Sequence, residues 1–72
     1  MKSDELQGTI EKYKKIRHIR TQEQLRRHTT VGSPNTFRKY LNNPDLMPLG
    51  IFEEIMTALN VPKEEKIELL TK

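Results

Sequence analysis

Two helix-start signals in the stretch 21–43 constrain the fold of this chain more than any other feature. The first is Thr21, a residue type favoured as an N-cap, with Gln24 three residues later in the position that completes a capping box. Leu25 supplies an apolar anchor for the helix that this cap begins. The spacing therefore predicts a short helix over residues 21–29.

The second signal begins a helix at Ser33. Serine is a favoured N-cap, and Pro34 follows at the first helical position, where a missing N–H leaves no intrahelical hydrogen bond unmade. We predict a helix over residues 33–41, with an apolar stripe at i, i+3 and i+4 that faces the core. This stripe consists of Phe37, Tyr40 and Leu41.

The segment between the two predicted helices is a turn. Thr29, Thr30 and Val31 are poor helix formers, and Gly32 follows them. Two short helices joined by a tight turn outline a helix-turn-helix, which places its second helix in the major groove of DNA. We therefore predict a helix-turn-helix over residues 21–41.

The outward face of the second predicted helix carries amide and cationic side chains. In the major groove Asn reads adenine and Arg or Lys reads guanine, and each good contact contributes ~1–3 kcal/mol of discrimination. The candidate base-reading residues are Asn35, Thr36, Arg38 and Lys39. The alternative is that they are ordinary surface residues beside an inward-facing stripe.

The same segment resembles the Cro/C1, or lambda-repressor-like, family of phage and bacterial regulators. The opening that is common in this family is present as Thr21-Gln22-Glu23-Gln24-Leu25, and Val31 matches the apolar residue after the turn. The resemblance continues through the next loop and helix as far as Val61. It implies a compact lambda-repressor-like DNA-binding domain.

Four positions depart from the family pattern. Arg26 stands where relatives have a small alanine at the helix crossing, and Thr30 stands where they have the turn glycine. Gly32 corresponds to a one-residue insertion, and Pro34 replaces a residue that reads bases in many relatives. The turn of this chain is therefore expected to differ from the usual one.

The resemblance also implies contacts to the DNA backbone. Relatives place a glutamine at the start of the first of these helices against a phosphate, and a helix N-terminus favours an anion. The implied phosphate-binding residues are Thr21, Gln22, Ser33 and Asn42. Helix capping is the alternative role for Thr21, Gln22 and Asn42, and it is the role that Ser33 has in the prediction above.

A further helix is predicted over residues 4–18, before the stretch described above. Ser3 or Asp4 can cap it, and Asp4 with Gln7 makes a second capping-box pair. Its inward face has a 3–4 spacing. The residues on this face are Leu6, Ile10, Tyr13, and Ile16 or Arg17.

Two more helices are predicted in the second half of the chain. One begins at Pro48 and ends at Asn60 in a left-handed C-cap, and the other begins at Pro62. The inward residues are Phe52, Ile55, Met56 and Leu59 in the former, and Ile67 and Leu70 in the latter, with Leu69 exposed. Leu46 and Met47 are expected to pack on the core.

These patterns predict an all-α chain of five helices in a single domain, residues 1–72, with no strand. Some apolar residues of the second half exceed what a small core can hold, and an apolar rim often marks a protein interface. The rim candidates are Met47, Leu49, Ile51 and Leu69.

Charge is distributed unevenly along the chain, whose formal net charge is +3. Residues 1–43 hold ten Lys or Arg against four Asp or Glu, and residues 44–72 hold three against six. A basic half that coincides with the helix-turn-helix suggests a polyanionic partner. Six basic residues follow one another closely, either for phosphate attraction or as a solvated helix end: Lys12, Lys14, Lys15, Arg17, His18 and Arg20.

Several function classes are disfavoured by composition. There is no cysteine, which removes disulfides and zinc–thiolate sites, and His18 and His28 lack the spacing of metal ligands. Adjacent acids such as Glu53-Glu54 diverge around a helix and cannot form an acid–base pair. No apolar run reaches the ~20 residues of a membrane span, and no signal peptide is visible. We expect no enzyme activity, no cofactor, no membrane association and a cytoplasmic location in a bacterial host.

Two functions remain in view. The first is a phage-type transcription regulator of a lysis/lysogeny-type genetic switch, a weak homodimer that binds double-stranded operator DNA. The second follows from a resemblance in size and pattern to the small modulator-of-repression proteins of lactococcal temperate phages. It implies an interaction protein that binds the DNA-binding domain of the cognate phage repressor, with weak or no DNA binding of its own.

Overall fold

The computed structural model describes residues 1–71, which form five α-helices and a short 3-10 turn. The helices are α1 (Ser3–Ile16), α2 (Gln22–Arg26), α3 (Pro34–Asn42), α4 (Leu49–Leu59) and α5 (Lys63–Thr71), and the 3-10 turn is Pro44–Leu46. No strand occurs among residues 1–71. The prediction of an all-α, five-helix chain is confirmed.

Every helix contributes to one apolar core. α1 and α2 each pack against both α3 and α4, so that α3 is held from two sides. Burying a Leu, Ile or Phe side chain contributes roughly 1.5–3 kcal/mol. The core residues are Leu6, Ile10, Tyr13, Leu25, Val31, Phe37, Leu41, Phe52, Ile55, Met56, Leu59 and Leu69. The predicted inward stripe of α4 is confirmed in full.

α1 and α4 end in the same C-terminal motif. In α1, His18 has a φ of 59°, and the N–H groups of His18 and Ile19 donate to the carbonyls of Lys15 and Lys14. In α4, Asn60 has a φ of 53° and takes the corresponding position, as predicted. These bonds satisfy carbonyls that the last helical turn leaves open. They also end α1 at Ile16, two residues earlier than the predicted boundary.

The predicted caps of α1 were wrong. Lys2 occupies the N-cap position, and no side chain caps this end of the helix. Asp4 and Gln7 form no capping box, because Ser3 and Gln7 turn toward the end of α3 instead. The chain thus uses these polar side chains for a long-range contact rather than for a helix cap.

α2 is shorter than the predicted helix over residues 21–29, since it ends at Arg26. The Thr29 hydroxyl donates to the Arg26 carbonyl at 2.7 Å and accepts from the Val31 N–H at 3.2 Å. Such local side-chain bonds compete with the helical ladder. The connection to α3 therefore spans residues 27–33, longer than the predicted tight turn.

The predicted inward face of α5 was wrong. Leu69 is 5 % exposed and belongs to the core, whereas Ile67 and Leu70 are each 47 % exposed. Two polar contacts set this orientation: the Tyr13 hydroxyl donates to Glu65 Oε1 at 2.6 Å, and Lys66 Nζ donates to Glu53 Oε2 at 3.0 Å. Leu69 lies on the face of α5 that these contacts turn toward α1 and α4.

Two further apolar residues lie outside the core. Leu46 is 49 % exposed, contrary to prediction, because Pro44 is the buried residue of the 3-10 turn, and Met47 is partly buried. Ile16 is 51 % exposed, so neither it nor the exposed Arg17 extends the inward stripe of α1.

Candidate nucleic-acid interface

α3 is fixed to the core by one face and capped at its start. Phe37 and Leu41 are buried and Tyr40 is partly buried against the core, as the spacing predicted. The Ser33 hydroxyl oxygen accepts from the Thr36 N–H at 3.4 Å, and Pro34 occupies the first turn. The core therefore holds the helix in one orientation, which fixes where its other face points.

The opposite face of α3 presents a continuous polar surface, formed by Asn35, Arg38 and Lys39. All three are exposed, and their side chains make no hydrogen bond or ion pair with any residue from 1 to 71. Positions three and four apart on a helix are neighbours, with Cβ atoms about 5–6 Å apart. Thr36 lies at the edge of this surface, half-buried beside a groove that runs toward α4.

The four predicted phosphate-binding residues differ in whether their side chains already make hydrogen bonds within the protein. Thr21 Oγ1 accepts from the Gln24 N–H at 3.1 Å, and Ser33 caps α3, so both act as helix caps. Gln22 is exposed and makes no side-chain hydrogen bond within the described chain. Asn42 is exposed at the end of α3, where Gln7 Nε2 donates to its Oδ1 at 3.3 Å.

A small cleft of about 110 Å³ lies between α2 and α3, and Gln22 and Arg38 both line it. Pro34 and Phe37 form part of its wall, and Arg26 closes it from α2. The candidate phosphate contact of α2 therefore adjoins the candidate base contacts of α3. Together these residues give one polar surface that crosses both helices.

Glu23 is the only carboxylate in α2 and α3, and it is neutralised. Arg26 donates two hydrogen bonds to its carboxylate, and Arg27 Nε lies 3.8 Å from Glu23 Oε2. The hydrogen bonds from Arg26 hold the pKa of Glu23 below its usual value, with the charges of Arg26 and Arg27 acting in the same direction. An acid at this surface would repel a polyanion, and these arginines offset that repulsion.

Arg26 also explains the unusual connection between α2 and α3. Its Nη1 donates to the Val31 carbonyl at 2.8 Å, in addition to its pairing with Glu23. Thr30 donates from its N–H and its hydroxyl to the two carboxylate oxygens of Glu54, at 2.8 and 2.9 Å. Side chains from α2 and α4 thus hold the longer turn. The Val31 and Glu54 contacts depend on the path of the backbone, and sequence reasoning missed them.

The basic run at the end of α1 divides into structural and exposed members. Lys12 pairs with Glu65 at 3.2 Å, and the buried Lys14 pairs with Glu11 at 3.1 Å. Arg17 Nε donates to the Leu59 carbonyl at 3.0 Å and so ties α1 to the end of α4. The remaining members of the run make no side-chain hydrogen bond or ion pair with any described residue: Lys15, His18 and Arg20.

Apolar side chains form a second surface feature beside α3. Leu49 is 62 % exposed and Leu46 49 % exposed, and both flank the start of α4. An open groove of about 680 Å³ lies nearby, lined by Tyr40, Pro48 and Ile51 together with residues of the turn before α3. Of the predicted rim, Leu49 is fully outside the core, Met47 and Ile51 are partly buried, and Leu69 is buried.

Comparisons with known proteins give no family assignment, so a function can be argued only from the residues of the chain. The chain matches no protein-family model, no curated protein and no solved structure. Across residues 1–71, each helix is too short or too polar to span a bilayer. Over the same range, no group of three or more His, Asp or Glu side chains is arranged to hold a metal ion.

Proposed function

We propose that this protein is a small helix-turn-helix transcription regulator that binds operator DNA through α3. The observation that carries the proposal is the polar face of Asn35, Arg38 and Lys39, exposed and unpaired on a helix whose other face is buried. In the major groove, Asn35 would read adenine and Arg38 or Lys39 guanine, with Thr36 at the edge of the contact. The setting is a lysis/lysogeny-type genetic switch of a bacteriophage in the bacterial cytoplasm.

The dimensions of α3 support insertion into DNA. A helix with its side chains is about 10–12 Å across, which fits the major-groove width of about 12 Å, and the nine residues of α3 supply about 13.5 Å of such helix. With the first half of α3 on the bases, Gln22 and Asn42 lie toward the flanking phosphates, and Thr21 and Ser33 orient the helix starts. Two copies in a weak dimer would occupy successive major grooves about 34 Å apart.

The charge pattern supports the same partner. Residues 1–43 carry the net positive charge of the chain, and the only acid of α2 and α3 is paired with arginines. Lys15, Arg20 and Arg27 add exposed cations outside α3. Neutralising phosphates with such cations releases counterions, so binding should weaken steeply as salt increases.

Fluorescence anisotropy on labelled duplexes tests the proposal. The duplexes are the intergenic DNA upstream of the gene and a scrambled duplex of equal composition, each titrated from about 50 to 200 mM salt, a range over which each phosphate contact made by a cation steepens the loss of affinity. We expect a preference for the native duplex that Asn35→Ala and Lys39→Ala reduce. Lys63→Ala, which removes an exposed cation of α5, is the matched control. Variants of α3 that keep the full preference would contradict base reading by this helix.

A second candidate function is supported by the apolar surface beside α3. Leu46 and Leu49 are exposed next to the groove lined by Tyr40 and Ile51. Such a surface suits a modulator or antirepressor that binds the DNA-binding domain of the cognate phage repressor. Co-elution with that repressor in size-exclusion chromatography tests it, with Leu49→Ser as the variant that should weaken the complex. A protein that binds its operator specifically and never co-elutes with the repressor would contradict this role.

A further inference from the structure

One of the last carbonyl groups of α3, that of Leu41, is held by side chains of α1. Ser3 Oγ donates to the Leu41 carbonyl at 2.9 Å, and Gln7 Nε2 donates to the same oxygen at 3.2 Å. The final four carbonyls of a helix have no intrahelical partner, so these bonds satisfy a group that would otherwise need water. The first turns of α1 therefore fix the position of the end of α3.

This arrangement dictates the orientation of the Gln7 side-chain amide. The Leu41 carbonyl can only accept a hydrogen bond, and the Ser3 hydroxyl uses its single hydrogen on that carbonyl. Neither oxygen has a hydrogen left for the Gln7 amide oxygen, so only the NH2 group of Gln7 can form hydrogen bonds with them. The Gln7 NH2 group does so, with Nε2 2.8 Å from Ser3 Oγ.

The orientation of the Gln7 amide in turn sets that of the side-chain amide of Asn42, the last residue of α3. The two hydrogens of the Gln7 NH2 group serve three acceptors: one points to Ser3 Oγ, and the other is shared between the Leu41 carbonyl, which also accepts from Ser3, and Asn42 Oδ1 at 3.3 Å. Asn42 therefore turns its amide oxygen toward α1 and its NH2 group away from it. Asn42 is exposed, and its Nδ2 donates no hydrogen bond to any described residue. An outward NH2 group suits an anion, because a phosphate oxygen only accepts.

We propose that Gln7 is a positioning residue for DNA binding, which orients the Asn42 amide so that its NH2 group donates to a phosphate oxygen of the DNA backbone. This inference rests on the proposed DNA-binding function. It adds that α1 participates in DNA binding through a residue that does not touch the DNA. In a helix-turn-helix complex the N-terminal residues of the second helix contact the base edges, so Asn42, at the other end of α3, would lie toward the phosphates that border the groove.

A double-mutant cycle in DNA affinity tests the link between the two residues. We expect Asn42→Ala to weaken binding about tenfold, as for a lost hydrogen bond to a charged group. Gln7→Ala should weaken binding several-fold, because the Asn42 amide is then free to rotate. The double variant should bind no more weakly than Asn42→Ala alone. Additive losses, or an unchanged affinity for folded Gln7→Ala, would overturn the proposal.

Gln7→Glu gives a sharper version of the same test. A carboxylate only accepts, so it would attract the Asn42 NH2 group inward and turn Oδ1 toward the phosphate. The added negative charge also repels DNA, and the same substitution in the Asn42→Ala background measures that repulsion alone. We expect Gln7→Glu to lower affinity by a larger factor when Asn42 is present than when it is absent. If Gln7→Glu lowers the affinity by the same factor with and without Asn42, then Gln7 does not act by orienting the Asn42 amide.

A spectroscopic measurement on the unmodified protein avoids any question of variant folding. With uniform 15N labelling, the side-chain NH2 signals of Asn42, assigned by their loss in Asn42→Asp, should shift when the native duplex is added. If backbone amides of α3 shift while these signals stay unchanged, the inference fails and the DNA-binding function stands. If neither shifts and anisotropy shows no binding to any duplex, the proposed function itself fails, and this inference with it.

Discussion

α3 and α5 each contain nine residues, and they use polar side chains in opposite ways. In α5, Glu65 accepts from Tyr13 and Lys12, and Lys66 pairs with Glu53, so its charged groups attach the helix to α1 and α4. In α3, buried apolar residues and the hydrogen bonds from α1 to its last turn provide the attachment, and Arg38 and its outward neighbours make no hydrogen bond or ion pair within residues 1–71. Charged groups already used in folding are less available to a ligand. The contrast therefore supports α3, rather than α5, as the face that meets a partner.

The largest effect should come from the one buried residue of α5. Leu69→Ala is expected to lower the free energy of unfolding by about 2–5 kcal/mol, because it removes packed atoms from the core. Leu70→Ala is the matched control, since the same residue type next to it is 47 % exposed. Chemical denaturation of both variants measures the difference. Equal losses would mean that α5 packs by another face, and the comparison with α3 would no longer hold.

The next effect concerns the outward face of α3. Arg38→Lys keeps the charge but removes the planar fork that pairs with guanine, so the preference for native over scrambled duplex should fall by about tenfold, within the ~1–3 kcal/mol of one base contact. The dependence of affinity on salt and the stability should change little, the latter by less than about 0.5 kcal/mol. Anisotropy and thermal unfolding together check these outcomes. A large loss of stability would show that Arg38 serves the fold, as the charges of α5 do.

A smaller, stabilising effect is expected in α1, which contacts both α3 and α5. Gly8 is exposed within α1, and a Cβ atom added there meets nothing within 4 Å. Gly8→Ala should raise the free energy of unfolding by about 0.5–1 kcal/mol, because glycine is less favourable than alanine inside a helix. Its affinity for DNA should match that of the unmodified protein. Weaker DNA binding would indicate that this part of α1 must stay deformable.

The smallest effect should be the response of α5 to acid. The hydrogen bond from Tyr13, with help from Lys12, lowers the pKa of Glu65. A carboxyl group whose folded pKa is depressed stabilises the fold above its ordinary value of about 4.3 and loses that contribution as pH falls through the folded pKa. Glu65→Gln should therefore be less stable at neutral pH and show a weaker decline in acid. The pKa of Glu23 is lowered as well, so part of the loss of stability in acid should persist in the Glu65→Gln variant.

Tyr13→Phe provides the matched test of that acid response. It keeps the buried ring but removes the hydroxyl that donates to Glu65, so its stability profile should move toward that of Glu65→Gln. At neutral pH, hydrogen exchange at α5 amides should be faster in both variants than in the unmodified protein, and this difference should shrink as the pH falls, whereas amides of α3 should change less. An identical response in α3 and α5 would show global unfolding, and α5 would then not be a separately attached helix.

Features of the fold that depend on nearby residues could be predicted from the sequence. The caps at Thr21, Ser33 and Asn60 act on backbone groups within a few residues, and the structure confirms all three. The apolar stripe of α4 is buried as expected because its spacing leaves only one face for the core. For the candidate site, the exposure of Asn35, Arg38 and Lys39 follows from the burial of the opposite face; their role in DNA binding stays a prediction.

Only the tertiary structure decided which polar side chains bond to residues far away in the sequence. Gln7 had a possible local partner in Asp4, but it bonds to Leu41 and Asn42. In α5, spacing alone could not choose the buried face. That choice depends on Tyr13 and Glu53, which lie on other helices.

The sequence by itself determined the number of helices, several of their ends and the uneven distribution of charge along the chain, because these depend on short-range bonds and periodicity. Helix orientation and the division of cations between structural and exposed positions depend on which helices meet in space.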